Sequence, residues 1–173
     1  MKNTPQSTQI TPITPSKIDV KNISDSTIED EFIRRFTISS GEQIRSSEDL
    51  VLHLRPFFTD PFKEQFVVVF LNGRNAIIRT EVLFEGTLTT SAVYPREVVR
   101  KVIEFGAAAV LFAHNHPSGD PAPSSADFQV TRRLYESSKV LDINLLDHVI
   151  LGNPASDPQE AGYYSFNEAG VLD

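Results

Sequence analysis

Two histidines in the second half of the sequence have the spacing of metal ligands. His114 and His116 are two residues apart and follow the apolar run AAAVLFA at 107–113. Residues two apart in an extended chain share one face, with Cα atoms about 6.6 Å apart. Both imidazoles can therefore approach one ion at the Zn–N distance of about 2.0–2.1 Å, while Asn115 points the other way. The pattern predicts that His114 and His116 bind a metal.

Asp127 is the candidate third ligand, because it lies in the first turn of a predicted helix from Ser125 to about Lys139. The loop before it must fold back to bring its carboxylate to the histidines. Proline and glycine supply turn chemistry for such a return. Two imidazoles, one carboxylate and an open fourth position for water suit a catalytic zinc site. Asp120, in the same loop, is the alternative ligand if the loop folds otherwise.

Each half of this pattern also has a purely structural interpretation. Ser124 and Asp127 form a Ser-x-x-Asp capping box, and such boxes often serve only to start a helix. A His-x-His at a strand end is also compatible with an ordinary polar surface. Short motifs recur by chance, so either feature alone favours a structural role. Their combination at this spacing, after a buried strand, favours the metal site.

At these residues the sequence resembles a known family. His-x-His, seven residues and then Ser-x-x-Asp is the JAMM signature of the JAB/MPN metallohydrolases. The string HNHPSGDPAPSSAD at 114–127 resembles the RadC branch of that superfamily, as do YPRE at 94–97, EVLFEGTL at 81–88 and LDH at 146–148. The resemblance covers roughly residues 45–173. Longer RadC proteins carry a helix-hairpin-helix region, so we expect this chain to be a short member without it.

The resemblance implies zinc held by His114, His116 and Asp127, within a mixed sheet of cytidine-deaminase-like topology. It also implies that Ser124 helps to stabilise an oxyanion. Chemically, zinc lowers the pKa of water from 15.7 to about 7, which suits hydrolysis of amide or isopeptide bonds. We therefore expect a zinc peptidase or isopeptidase that acts on a protein or peptide substrate. The alternative is a DNA-repair-associated or partner-binding module without hydrolytic activity.

The resemblance further implies a glutamate as general acid and base, upstream of the histidines. Glu81 lies where RadC-like sequences show a glutamate a few residues before Gly-Thr, and Glu85 adjoins Gly86. Glu81 and Glu85 are four residues apart, so in a regular strand their side chains would lie on the same face. The alternation of side chains therefore does not indicate which glutamate faces the metal. Glu81 is our prediction.

Three further polar residues are open to interpretation. Asp147 and His148 either orient the metal ligands or are ordinary strand residues, and the sequence leaves both possibilities open. Metal-bound histidines usually need an outer hydrogen-bond partner. His53 follows the apolar stripe of a helix, so we predict that it serves in packing.

Apolar periodicity and turn residues predict an α/β layered domain with a mixed sheet. The resemblance implies that helices flank this sheet in a three-layer JAB/MPN architecture. An Asn-Gly turn joins the first two strands. The predicted helices are 26–35, 46–57, 95–105 and 125–139; the strands are 64–71, 76–84, 107–113 and 145–151, with a short terminal element at 163–172. Residues 1–26 are rich in Ser, Thr and Pro and predict a disordered tail, so the domain spans 27–173.

Composition excludes several classes of function. The 173 residues suit one domain and include no cysteine, which excludes disulfides, Cys-ligated zinc and thiol catalysis. With 16 Lys+Arg against 23 Asp+Glu, the net charge of -7 predicts weak affinity for DNA. No signal peptide or membrane-spanning run is evident, so we expect a cytoplasmic protein with no membrane partner. The sequence does not predict the oligomeric state.

Overall fold

The computed structural model describes residues 37–86 and 93–172, and these form a mixed sheet with helices on both faces. The predicted tail and the predicted helix at 26–35 lie outside the described residues. The strands are β1 (Gln65–Leu71), β2 (Ile77–Glu85), β3 (Ala109–Asn115), β4 (Asn144–Leu151) and β5 (Tyr163–Ser165). The helices are α1 (Ser47–Leu54), α2 (Pro95–Phe105) and α3 (Ser125–Val140), with 3-10 turns at Arg55–Phe57 and Pro154–Ser156.

The strands lie in the order β2-β1-β3-β4-β5. β1 pairs antiparallel with both β2 and β3, and β5 pairs antiparallel with β4. β3 and β4 are parallel, which requires a crossover connection, and α3 provides it. The sheet is therefore mixed, as the sequence predicts.

The two central strands are buried on both faces, because helices cover the sheet on each side. Every residue of β1 and of β3 is buried. One face packs against α1, through Leu50 and Leu54. The other packs against α2 and α3, through residues such as Val102 and Leu134. This confirms the three-layer α/β architecture.

The end of β3 and the first hairpin turn differ from the sequence prediction. β3 runs to Asn115 rather than ending at Ala113, because pairing on both sides continues to the histidine: Phe66 of β1 and Ile150 of β4 flank His114. The first hairpin also forms without a two-residue Asn-Gly turn. The left-handed residue is Asn75, at φ 58°.

Asn72 explains that longer turn. Its backbone oxygen accepts a hydrogen bond from Asn75 N at 2.9 Å. Its side-chain Oδ1 accepts from the backbone nitrogens of Arg74 and Ala76 at 2.8 and 3.1 Å. Asparagine side chains stabilise turns in this way, so the hairpin is set by Asn72 and Asn75 rather than by Gly73.

His53 has the packing role predicted for it. It lies on α1, is 2 % exposed and contacts the ring of Phe57. Its Nδ1 accepts from Ile38 N at 2.9 Å, so that nitrogen is unprotonated, and Nε2 donates to Thr80 Oγ1 at 2.8 Å. Burial lowers the pKa of His53 to about 4.

None of the helices within residues 37–86 and 93–172 has the length and apolar character needed to cross a bilayer.

We expect His53 to make folding stability depend on pH. Between about pH 6.5 and 4 the unfolded chain protonates this imidazole while the folded chain does not, so the free energy of unfolding falls as pH falls, by at most about 3 kcal/mol. His53→Gln, which does not titrate, should lose less stability across this window in urea unfolding. The other histidines contribute equally to both proteins, so an identical pH dependence in the two would contradict the assignment.

Candidate metal centre

The carboxyl end of β3 and the start of α3 bring His114, His116 and Asp127 together. One ligand atom from each lies within 4.8 Å of the others. His114 is in β3 and continues the row of Phe112 on the face covered by α2 and α3. His116 follows the strand, and its backbone nitrogen donates to Leu151 O at 2.9 Å. The β3–β4 pairing therefore places both histidines.

The loop between His116 and α3 folds back over the end of β4. Asn153 N donates to Gly119 O at 2.7 Å, and Gly119 N donates to His116 O at 2.9 Å. Gly119 has φ +83°, and a Cβ placed on Gly152 would lie 2.4 Å from Gly119 O. The return that brings Asp127 to the histidines therefore depends on a close backbone contact that only glycine permits.

The separations within the group fit a tetrahedral cation site. His114 Nε2 lies 3.2 Å from His116 Nε2 and 3.2 Å from Asp127 Oδ1, and His116 Nε2 lies 3.5 Å from Asp127 Oδ2. Zinc bonds of about 2.0–2.1 Å in tetrahedral geometry require ligand atoms about 3.3 Å apart. The donor set thus suits zinc in chemistry, and these separations are close to that spacing, with a different Asp127 oxygen facing each histidine.

Hydrogen bonding prepares His116 for a cation. Its Nδ1 lies 2.7 Å from the carbonyl oxygen of Asp120, and a carbonyl oxygen only accepts hydrogen bonds. Nδ1 must therefore carry the hydrogen, which leaves the Nε2 lone pair directed at the group. Asp120 serves through its backbone; its carboxylate accepts from Ala122 N at 2.9 Å instead.

The pKa values of the three candidate ligands are shifted in different ways by their surroundings. Burial lowers the pKa of His114, although Asp127 opposes it. Burial also acts to lower the pKa of His116, but Asp127, the Asp120 carbonyl and Glu64 together raise it. The contacts of Asp127 with His114, His116 and Ser124 outweigh burial and hold its pKa well below its usual range. Because metal binding requires unprotonated ligands, protons and metal compete at His116.

Comparison with known proteins agrees with this geometry. A family model for the RadC-like JAB domain matches residues 44–171. The chain belongs to the RadC-like JAB domain family. Among curated relatives, UPF0758 proteins of Vibrio vulnificus and Trichlorobacter lovleyi are each 43% identical, over 68% and 79% of this chain and 52% and 60% of their own lengths. That of Symbiobacterium thermophilum is 49% identical over 63% of this chain and 44% of its own length. The chain spans about half the length of the curated relatives it matches.

In this RadC-like JAB domain, Ser124 is the N-cap of α3 and contacts the third candidate ligand. The predicted capping box is formed. Ser124 Oγ donates to Asp127 Oδ2 at 2.6 Å and accepts from Asp127 N at 3.2 Å. The structural and metal-site interpretations therefore coexist, because one carboxylate caps the helix and faces the histidines.

The structure does not bring Glu81 to the metal group. Its two oxygens form ion pairs with Arg79 at 2.7 Å and with Lys101 of α2 at 2.9 Å. Glu81 and Phe112 lie on opposite sides of Val68 of β1, so their backbones are two strand spacings, or about 10 Å, apart. The carboxylate is held by α2 and lies apart from the histidines.

The premise that Glu81 and Glu85 share a face is wrong. A β-bulge in β2 shifts the register, so Glu81 is opposite Val68 while Glu85 is opposite Gln65. Those two partners have opposite parity in β1, and the two glutamates consequently lie on opposite faces. Glu85 accepts a hydrogen bond from Gln65 Nε2 at 2.9 Å.

Glu64, which sequence reasoning passed over, is near enough to the metal group for its charge to act on both histidines. The antiparallel pairing places Phe66 opposite His114. Glu64 directly precedes β1 and His116 directly follows β3, at the same end of this strand pair. The negative charge of Glu64 acts to raise the pKa of both histidines. Only the adjacency of β1 and β3 reveals this, and the sequence does not contain that pairing as a local signal.

Asp147 and His148 point to opposite sides of β4 and have different roles. Asp147 Oδ1 accepts from the backbone nitrogens of His148 and Asn167 at 2.7 and 2.9 Å, and Oδ2 accepts from Ser165 Oγ at 2.7 Å. Burial raises the pKa of Asp147. His148 Nε2 instead lies 2.9 Å from His114 Nδ1, and burial lowers its pKa well below the usual range. Of the predicted pair, only His148 contacts a candidate ligand.

We expect His116→Ala to abolish stoichiometric zinc binding, since it removes one of the three protein donors. The measurement is elemental analysis after dialysis of the folded protein against zinc and then zinc-free buffer. Asp120→Asn is the matched control: it changes the same loop but keeps the backbone carbonyl that holds His116, so it should retain zinc. A full equivalent of zinc in His116→Ala would exclude the assigned ligand set.

Proposed function

We propose that this RadC-like JAB domain is a zinc-dependent hydrolase that cleaves amide bonds in a peptide or protein substrate. The observation that carries the proposal is the close group formed by His114, His116 and Asp127, together with the charge of Glu64 that acts on both histidines. Three protein ligands with a free fourth position are typical of catalytic rather than structural zinc. A carboxylate whose charge reaches the group, Glu64, would supply the acid–base chemistry that hydrolysis needs.

Different residues of the chain have different roles in the proposed hydrolysis. His114, His116 and Asp127 would hold the zinc, which when bound supplies Lewis acidity and lowers the pKa of water to about 7. Glu64 takes the role that the sequence assigned to Glu81: it accepts a proton from the attacking water and delivers it to the leaving amine nitrogen. Such transfers contribute about 10²–10⁴-fold to the rate.

Ser124 supports this chemistry first by orienting a ligand. Its hydroxyl donates to Asp127 Oδ2, which leaves Oδ1 directed at His114. The oxyanion role implied for Ser124 stays a prediction, and it requires that the hydroxyl turn from Asp127 to the developing charge. A donor placed there would oppose charge on the tetrahedral oxygen.

Two features support hydrolysis over the alternative of a DNA-associated or partner-binding module. The ligand set is complete and prearranged, which a binding module without catalysis does not need. The net charge of -7 works against binding to a phosphate backbone, whose affinity for proteins comes from Lys and Arg.

The direct test is a screen of peptide and isopeptide substrates with the zinc-loaded chain. Activity should require zinc, be lost on chelation and return when zinc is restored. His116→Ala is the negative control. Turnover that survives both the chelator and His116→Ala would contradict a metal-dependent mechanism.

With an active substrate, we expect Glu64→Gln to lower kcat by at least about 100-fold while zinc content and folding stay unchanged. Glutamine keeps the size of the side chain but cannot accept the proton. Glu81→Gln is the matched control, because it removes the same charge from a carboxylate that is held in ion pairs with Arg79 and Lys101. Full activity in Glu64→Gln together with loss in Glu81→Gln would restore the original assignment to Glu81.

A further inference from the structure

A third buried imidazole lies directly behind the candidate ligand His114. His148 is fully buried, and its Nε2 is 2.9 Å from His114 Nδ1. On its far side, His148 Nδ1 lies 2.6 Å from Thr131 Oγ1. The Thr131 hydroxyl in turn donates to the backbone oxygen of Asp127 at 2.6 Å. These contacts join two candidate ligands, His114 and Asp127, by a continuous chain of hydrogen bonds.

The direction of each hydrogen bond follows from the last acceptor in the series, the backbone oxygen of Asp127. The Asp127 carbonyl can only accept, so the Thr131 hydroxyl donates its single hydrogen there and must accept a hydrogen bond from His148. His148 Nδ1 therefore carries the hydrogen of the neutral ring, and its Nε2 is an acceptor. His114 Nδ1 must then donate to that acceptor. This leaves a lone pair on His114 Nε2, the atom that faces His116 and Asp127.

The opposite arrangement would disable the ligand. If His148 carried its hydrogen on Nε2, His114 Nδ1 would have to accept it. The hydrogen of His114 would then sit on Nε2 and occupy the position of the metal. Both arrangements satisfy the contact between the two rings, so that contact alone does not choose between them. In the metal-free chain a hydrogen on Nε2 could donate to Asp127 Oδ1, 3.2 Å away, and the hydroxyl of Thr131 is the contact that opposes this arrangement.

We propose that Thr131 is a positioning residue for metal binding: acting through His148, its hydroxyl holds His114 in the tautomer whose Nε2 lone pair is free to bind the metal. The inference rests on the proposed metal site, and it adds a residue that touches neither metal nor substrate. Outer hydrogen-bond partners of ligating histidines typically contribute 10–100-fold to metal affinity.

Aromatic rings surround His148, so the hydrogen bond of its Nδ1 depends on Thr131. The His148 ring stacks on Phe166 at a centroid distance of 5.1 Å and an interplanar angle of 13°. Phe66 and Phe112 meet it edge-on at 5.6 and 6.1 Å. These aromatic rings enclose the imidazole and disfavour a water molecule as a substitute hydrogen-bond partner. Thr131 itself is 1 % exposed.

The helical position of Thr131 lets one side chain serve both ligands. It lies four residues after Asp127 on α3, and hydroxyls at this spacing bond to the carbonyl one turn earlier. Valine has nearly the same shape as threonine but no hydroxyl. Thr131→Val therefore removes the relay while it preserves packing, and Thr131→Ser keeps the hydroxyl while it removes one methyl group.

The first test needs no metal. In ¹⁵N NMR of the metal-free chain, His114 should carry its hydrogen on Nδ1 in the wild type and in Thr131→Ser. In Thr131→Val the Nε2–H tautomer should become populated. A wild-type His114 with its hydrogen on Nε2 would overturn the proposal, and this outcome can be read even if Thr131→Val does not fold.

The second test measures Zn²⁺ affinity by competition with a chelator on protein shown to be folded. Thr131→Val should bind Zn²⁺ about 10–100-fold more weakly than the wild type, and Thr131→Ser should stay close to it. Thr80→Val is the matched control: its hydroxyl also contacts a buried imidazole, His53, at 2.8 Å, but His53 is on α1. It should lower stability without changing Zn²⁺ affinity.

The outcomes separate this inference from the proposed function. Unchanged Zn²⁺ affinity in Thr131→Val, or an equal loss in Thr80→Val, would refute the positioning role even if the domain is a zinc hydrolase. A wild-type chain that binds no Zn²⁺ would refute the metal site and with it the positioning role, and the NMR result would then show only whether Thr131 sets the tautomer.

Discussion

The carboxylate of Asp127 is the group on which the candidate site depends, because it belongs to the helix and to the metal group at once. Its Oδ2 accepts from the backbone and hydroxyl of Ser124 at the N-terminus of α3, and Oδ1 faces His114. A carboxylate is stabilised at this end of a helix by the backbone dipoles. The ligand is therefore anionic and oriented by the fold itself, and a metal ion would bind a group that already exists.

The three candidate ligands could be predicted from the sequence because their geometry is local. His114 and His116 share a face through strand periodicity, and Asp127 is placed by the helix start that Ser124 caps. The order of the helices and strands, and hence the layered fold, also follows from local patterns. Each of these inferences uses residues that lie within one element or across one loop.

Glu64 could not be found in the same way, because its position depends on which strands are neighbours. Glu64 directly precedes β1, and only the β1–β3 pairing, which sets Phe66 opposite His114, brings that end of β1 to the metal group. The bulge in β2 made the alternation argument about Glu81 and Glu85 wrong, since one extra residue moves every side chain beyond it to the other face of the sheet. His148 likewise needed the parallel register of β4 against β3. Long-range pairing is decided by the whole core and leaves no short motif.

The candidate ligands are close together along the chain, and this affects which parts of the domain unfold locally. All three lie within the fourteen residues from His114 to Asp127, and the entropy lost in closing so short a loop is small and grows only with the logarithm of its length. A bound cation would therefore hold the end of β3 against the start of α3 even when the outer hairpin strand β2 has opened. Ligand binding stabilises whatever part of a protein forms its site. Slow exchange of backbone amides would accordingly be concentrated in β3 and α3.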